Sequence, residues 1–166
     1  IEKFMKPSTD QDYPDIAHLS MPSTVGDRSK FLRGETSKNP GIEISQIINR
    51  LANLEVKVIG IACNTAHHPR IHNRSIESIP EGVEVIHMIE AAARGLSIRY
   101  PKAKVGVMAT TATIQSGLYH MHLRKYGLTP IQPSDEIQEK IEDSIYNPNL
   151  GLKIRSNPAS EEAKDI

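Results

Sequence analysis

Val56-Lys57-Val58-Ile59-Gly60-Ile61-Ala62-Cys63-Asn64-Thr65-Ala66-His67 is the stretch on which the fold turns. Residues 56–62 are almost wholly apolar, the composition of a strand buried in a parallel sheet. A thiol and short polar side chains follow, and residues 65–79 read as a helix. The geometry recurs at Val105-Gly106-Val107-Met108-Ala109-Thr110-Thr111-Ala112-Thr113. There, residues 104–109 read as a second buried strand and 113–126 as a helix stopped by Gly127, which suits a left-handed cap.

Working outward, residues 15–21 read as a strand. Residues 42–54 place Ile44, Ile47, Ile48 and Leu51 on one helical face. A short strand is expected at 83–86 and a helix at 88–100, closed by Pro101. A strand is expected at 129–132. A helix is expected at 134–146, opened by Ser134 with Asp135 and Glu136 in its first turn. Residues 155–166 read as a loop followed by the first turns of a helix. Strand and helix alternation of this kind predicts an α/β fold around parallel sheet.

The chain has 166 residues, with 20 Lys plus Arg against 20 Asp plus Glu, so its formal net charge is zero. That balance argues against general nucleic-acid binding. No apolar run approaches a membrane-spanning length. The start resembles neither a signal peptide nor a lipidation site and lacks an initiator Met, so the chain reads as truncated at the front. The single cysteine makes neither an internal disulfide nor a thiolate zinc site within the chain.

Cys63 stands where open α/β sheets place their sites, outside the carboxyl end of a strand. A following helix N-terminus would lower a thiol's pKa. Asn64 and Thr65 offer hydrogen bonds to a carboxylate or amine. The rival reading is a buried cysteine followed by an ordinary Asn-Thr turn. At the second strand end, plain N-capping by Thr110, Thr111 or Thr113 is the better account of those residues taken alone. His68 and His72 are four apart and could chelate zinc on one helix face, but no third ligand is spaced to complete the set, and no metal is expected. His120 and His122 are not spaced to converge on a helix. No dinucleotide fingerprint follows Gly106.

Taken together, the two strand ends resemble the aspartate/glutamate racemase family. Cys63 to His67 carries its C-N-T-A-H motif intact. Thr111-Ala112-Thr113-Ile114-Gln115-Ser116-Gly117-Leu118-Tyr119 resembles its second motif, with Ala112 where Gly is usual. Asp27-Arg28 matches a third, with Gly26 where Pro is frequent. Ile145-Tyr146 followed by Gly151-Leu152-Lys153 resembles a fourth, although Ile154-Arg155 departs from the usual small residues. The resemblance implies two similar α/β lobes, here 1–92 and 93–166, each with a short parallel sheet flanked by helices and with the active site in the cleft between them. It implies a cytoplasmic homodimer that racemises aspartate or glutamate by two-base thiol/thiolate proton transfer, with no cofactor, neither pyridoxal phosphate nor metal. Cys63 would be one catalytic thiol. Arg28, Asn64, Thr65, Thr111, Thr113 and Lys153 would bind the amino-acid substrate, Arg28 by holding a carboxylate bidentately. The family's glycine-rich opening segment would precede Ile1, and its second catalytic cysteine would follow Ile166, so an interior fragment is expected. The alternatives are a catalytically degenerate dicarboxylate-binding relative or another Cys-dependent member of the superfamily, such as a hydantoin racemase or a decarboxylase.

Overall fold

The computed structural model describes residue 6, residues 8–149 and residues 151–153; the tail expected to open a last helix lies outside them. Two short parallel sheets organise the chain, each flanked by helices. In the first, β1 (Val58–Gly60) pairs with β2 (Glu84–Ile86), Ile59 opposite Val85. In the second, β3 (Lys104–Gly106) pairs with β4 (Thr129–Ile131), Val105 opposite Pro130. Parallel neighbours need a crossover, and each pair has one. Helix α3 (Pro69–Ile76) lies between β1 and β2, while α5 (Thr111–Gln115) and α6 (Leu118–Lys125) lie between β3 and β4.

Two hydrophobic clusters follow the two sheets. Helix α2 (Gly41–Ala52) turns Ile44 and Ile48 inward against Ile59, with Ile71 of α3 and Phe31 of the short α1 (Arg28–Leu32) completing the group. Ile71 is wholly buried, and burial of such a side chain contributes roughly 1.5–3 kcal/mol. Ala93 of α4 (Met88–Arg99), with Val107, Ala109, Ile114, Leu123 and Leu128, forms the second cluster. Helix α4 runs unbroken through residues 92 and 93. Helix α7 (Asp135–Tyr146) buries Ile141, and Ser134 caps it by accepting the Ile137 N–H.

Four local expectations are corrected. Residues 15–21 form no strand; among the described residues none pairs with the segment, and Ile16 is 70% exposed. The strands are not buried on both faces: in β1 only Ile59 is enclosed, since helices cover one side of so narrow a sheet. The helix expected over 65–79 breaks at His68, whose extended backbone (φ −62°, ψ 135°) is what a residue preceding proline adopts. It becomes a 3-10 turn, Asn64–His67, followed by α3. The helix expected over 113–126 begins at Thr111 and is split at Gly117, whose φ of +66° is left-handed. Gly127 is also left-handed, at φ +72°, as expected of a cap.

Candidate active site

A groove of about 360 Å³ separates residues 17–22 from β1 and α2. Ile44, Ile47, Ile48, Leu51 and Ile59 make its apolar wall; Arg28, His18 and Cys63 supply polar lining. Cys63 lies just beyond the carboxyl end of β1, on extended backbone (φ −153°), and is half-buried. Arg28 opens α1. The Asp27 carboxylate ahead of it accepts the N–H groups of Ser29 and Lys30 at 2.8 and 3.0 Å, capping that helix. Those bonds, that from Lys30 first, hold the Asp27 pKa below its usual value. The Arg28 guanidinium donates to the Gly26 carbonyl at 3.2 Å.

Behind the thiol, the buried His67 ring donates Nδ1–H to the Cys63 carbonyl at 2.8 Å and so braces the turn against the strand end. Asn64 reaches the second lobe: its Oδ1 accepts the Tyr119 hydroxyl at 2.8 Å. Burial raises the Tyr119 pKa, so the phenol carries the proton that this bond needs. The two strand-end motifs are thus joined by a side-chain hydrogen bond across 55 positions.

The remaining site candidates lie elsewhere or are engaged locally. Thr65 is half-buried in the turn after Cys63. Thr113 is buried, and its hydroxyl lies 3.0 Å from that of Thr110, which caps α5 by accepting the Thr113 N–H. The N–H of Thr111 donates to Glu142 Oε2 at 2.7 Å, and its hydroxyl accepts from Gln138 at 3.2 Å. Thr111 faces a separate depression with Glu139, Glu142 and Tyr146 of α7. Lys153 donates to the Tyr146 hydroxyl at 2.9 Å and lies over that ring. The groove therefore brings Arg28 and Cys63 together, and its lining includes none of Asn64, Thr65, Thr111, Thr113 and Lys153.

Sequence reasoning missed Tyr119 as a partner of Asn64, although both stand in the quoted motifs. It singled out His72 as a possible zinc ligand with His68, but missed that His67, His72, His87 and His122 meet in a junction of four imidazoles beside the thiol-bearing turn. His87 and Glu90 were not singled out at all. Among the described residues no helix is long and apolar enough to cross a membrane.

Comparison with known proteins bears on the family and the fold. A glutamate racemase 2 of Caldanaerobacter subterraneus subsp. tengcongensis is 30% identical over 146 residues, covering 82% of this chain and 51% of that protein. A glutamate racemase of Persephonella marina is 31% identical over 124 residues, covering 71% of this chain and 43% of that one. The chain thus spans about half the length of these relatives. The Picrophilus torridus aspartate racemase superposes with a TM-score of 0.67 at 22% identity, covering 99% of this chain and 79% of that one, a likeness of fold. The family model for Asp/Glu/hydantoin racemases matches residues 1–164, a span that takes in both strand-end motifs and both parallel sheets, and the chain belongs to that family.

Proposed function

We propose that the protein is an amino-acid racemase acting on aspartate or glutamate, with Cys63 as the acid/base on one face of the substrate Cα. The observation that carries this reading is that Cys63 and Arg28 line one groove at the carboxyl end of β1. In the forward step the Cys63 thiolate takes the Cα proton. The C–H bond breaks and its electron pair passes into the α-carboxylate. A second acid on the opposite face then protonates Cα. Two groups are needed because a single base would have to carry the proton around the carbanion. Cys63 is the only cysteine of this chain, and it takes one of the two roles.

The Cα–H is a very weak acid, so charge developing on the carboxylate must meet preorganised donors. Asn64 is suited to this: its Oδ1 is held by Tyr119, which orients the amide and leaves its N–H groups to donate. Thr65 is the neighbouring donor, and Arg28 holds a carboxylate with its planar fork. Thr111, Thr113 and Lys153 belong to the same reading as groups that meet substrate from the second lobe. The lobes divide at residues 92 and 93, within α4, and the enzyme works as a cytoplasmic homodimer. Proton transfer between thiols needs neither pyridoxal phosphate nor a metal.

The test is α-hydrogen exchange. Cys63→Ser is expected to abolish exchange in deuterated water from at least one enantiomer of aspartate or glutamate, followed by NMR. Undiminished exchange from both enantiomers removes Cys63 from the mechanism.

A further inference from the structure

Four imidazoles from separate elements meet where the two sheets' units join. His67 stacks on His72 at 5.6 Å, and both meet His87 edge-on at 4.8 Å. His87 in turn lies 4.5 Å from His122 of α6. Hydrogen bonds orient two of the rings. His67 Nδ1 faces the Cys63 carbonyl at 2.8 Å. His87 Nε2 faces the His67 carbonyl at 3.1 Å, so it carries the proton and Nδ1 keeps the lone pair. That lone pair caps α4 by accepting the Glu90 N–H at 3.2 Å, a bond that a metal ion on Nδ1 would replace.

Two ring nitrogens, His72 Nε2 and His122 Nδ1, are buried with no hydrogen-bond partner among the described residues. An unsatisfied buried polar atom opposes folding. Neutral imidazole is the form that binds a metal.

A carboxylate completes the set. Ligand atoms of His87, Glu90 and His122 all lie within 4.8 Å of one another. Lys125 and Tyr126 both bind the same Glu90 oxygen, Oε1, at 2.5 and 2.8 Å. These two bonds orient the carboxylate beside the imidazoles. The His67 carbonyl that accepts His87 Nε2–H is the kind of outer partner that fixes a metal-bound imidazole. Tetrahedral zinc with bonds of roughly 2.0–2.2 Å would draw these ligands closer together, a change within reach of side-chain rotation.

We propose that His87, Glu90 and His122 form a binding site for a divalent transition-metal ion of the zinc class. Two imidazoles and one carboxylate suit zinc, cobalt or nickel; magnesium and calcium take all-oxygen sets. The ion ties the start of α4 to α6, against the turn that carries Cys63. It is a structural ion and is not asked to move the substrate proton, so the site stands or falls independently of the racemase reading.

Cobalt(II) is the probe, because its visible absorption reports tetrahedral ligation without any assay of turnover. Chelator-treated protein titrated with Co²⁺ is expected to show saturable d–d bands at one ion per chain, displaced by Zn²⁺, and Zn²⁺ should raise its melting temperature. His122→Ala and Glu90→Gln should each weaken Co²⁺ binding at least tenfold, while His18→Ala, on the groove side, leaves it unchanged. Should His122→Ala prove unfolded by circular dichroism, His122→Gln, which keeps the volume, takes its place with the same expected loss. Absence of saturable Co²⁺ bands up to millimolar ion, or binding undiminished in folded His122 and Glu90 variants, overturns the proposal.

Discussion

The hydrogen bond from Tyr119 to Asn64 ties the second strand-end motif to the first, and its removal has a calculable effect. Tyr119→Phe keeps the ring that packs on the second core cluster and deletes only the hydroxyl. Both partners are half-buried, so the net loss is that of an ordinary neutral bond, about 1 kcal/mol. For a chain of 166 residues the unfolding entropy is about 0.35 kcal/mol per kelvin, which converts that loss to a fall in Tm of about 3 °C. Packing and solvation changes could mimic such a shift, so the deciding measurement is a double-mutant cycle in urea. Tyr119→Phe, Asn64→Ala and the double variant should return a coupling energy of about 1 kcal/mol. A coupling below about 0.3 kcal/mol would refute the argument, because the two motifs would then be energetically independent. The same variant should reduce α-hydrogen exchange by freeing the Asn64 amide to rotate.

Three further outcomes are expected. Arg28→Lys should lower kcat/KM for a dicarboxylate amino acid at least tenfold, about 1.4 kcal/mol, because an ammonium cannot form the paired bonds of a guanidinium; a value within twofold of wild type would mean the substrate charge is read elsewhere. Asp27→Ala should cost about 1 kcal/mol at pH 7 through loss of the α1 cap. The cap's contribution is present above the unfolded carboxyl's pKa, near 4, and is lost as pH falls through the lower folded value, so urea melts of wild type and variant should converge only at acid pH; a constant gap would exclude the carboxylate. Gly41→Ala should cost about 1–3 kcal/mol by overpacking, since a Cβ there would meet the Ile71 carbonyl oxygen at 2.5 Å and Arg74 Cβ at 2.9 Å; an unchanged urea midpoint would show that α2 and α3 can separate without loss.

Much of the fold was legible because local chemistry determines it. The apolar face of Ile44, Ile48 and Leu51 predicts α2, Gly127 predicts the end of α6, Ser134 predicts the start of α7, and paired strand-and-helix units predict parallel sheet. The intact Cys63 to His67 motif likewise placed a thiol at a strand end. Tertiary structure decided the rest. Residues 15–21 have strand composition, yet a strand exists only where a partner supplies hydrogen bonds, and among the described residues none does. Gly117 sits inside a good helical pattern, but a glycine accepts helical and left-handed backbone alike, and packing chose the latter. Thr113 and Thr111 have the same side chain two residues apart; one is buried against Thr110 while the other meets α7, a difference that residue type does not encode. The imidazole junction is the clearest case: His67, His72, His87 and His122 come from four elements spread over 56 positions, and only the packing of α3, α4 and α6 brings each within 6 Å of another, because contact between distant residues is set by how helices stack and not by their spacing along the chain.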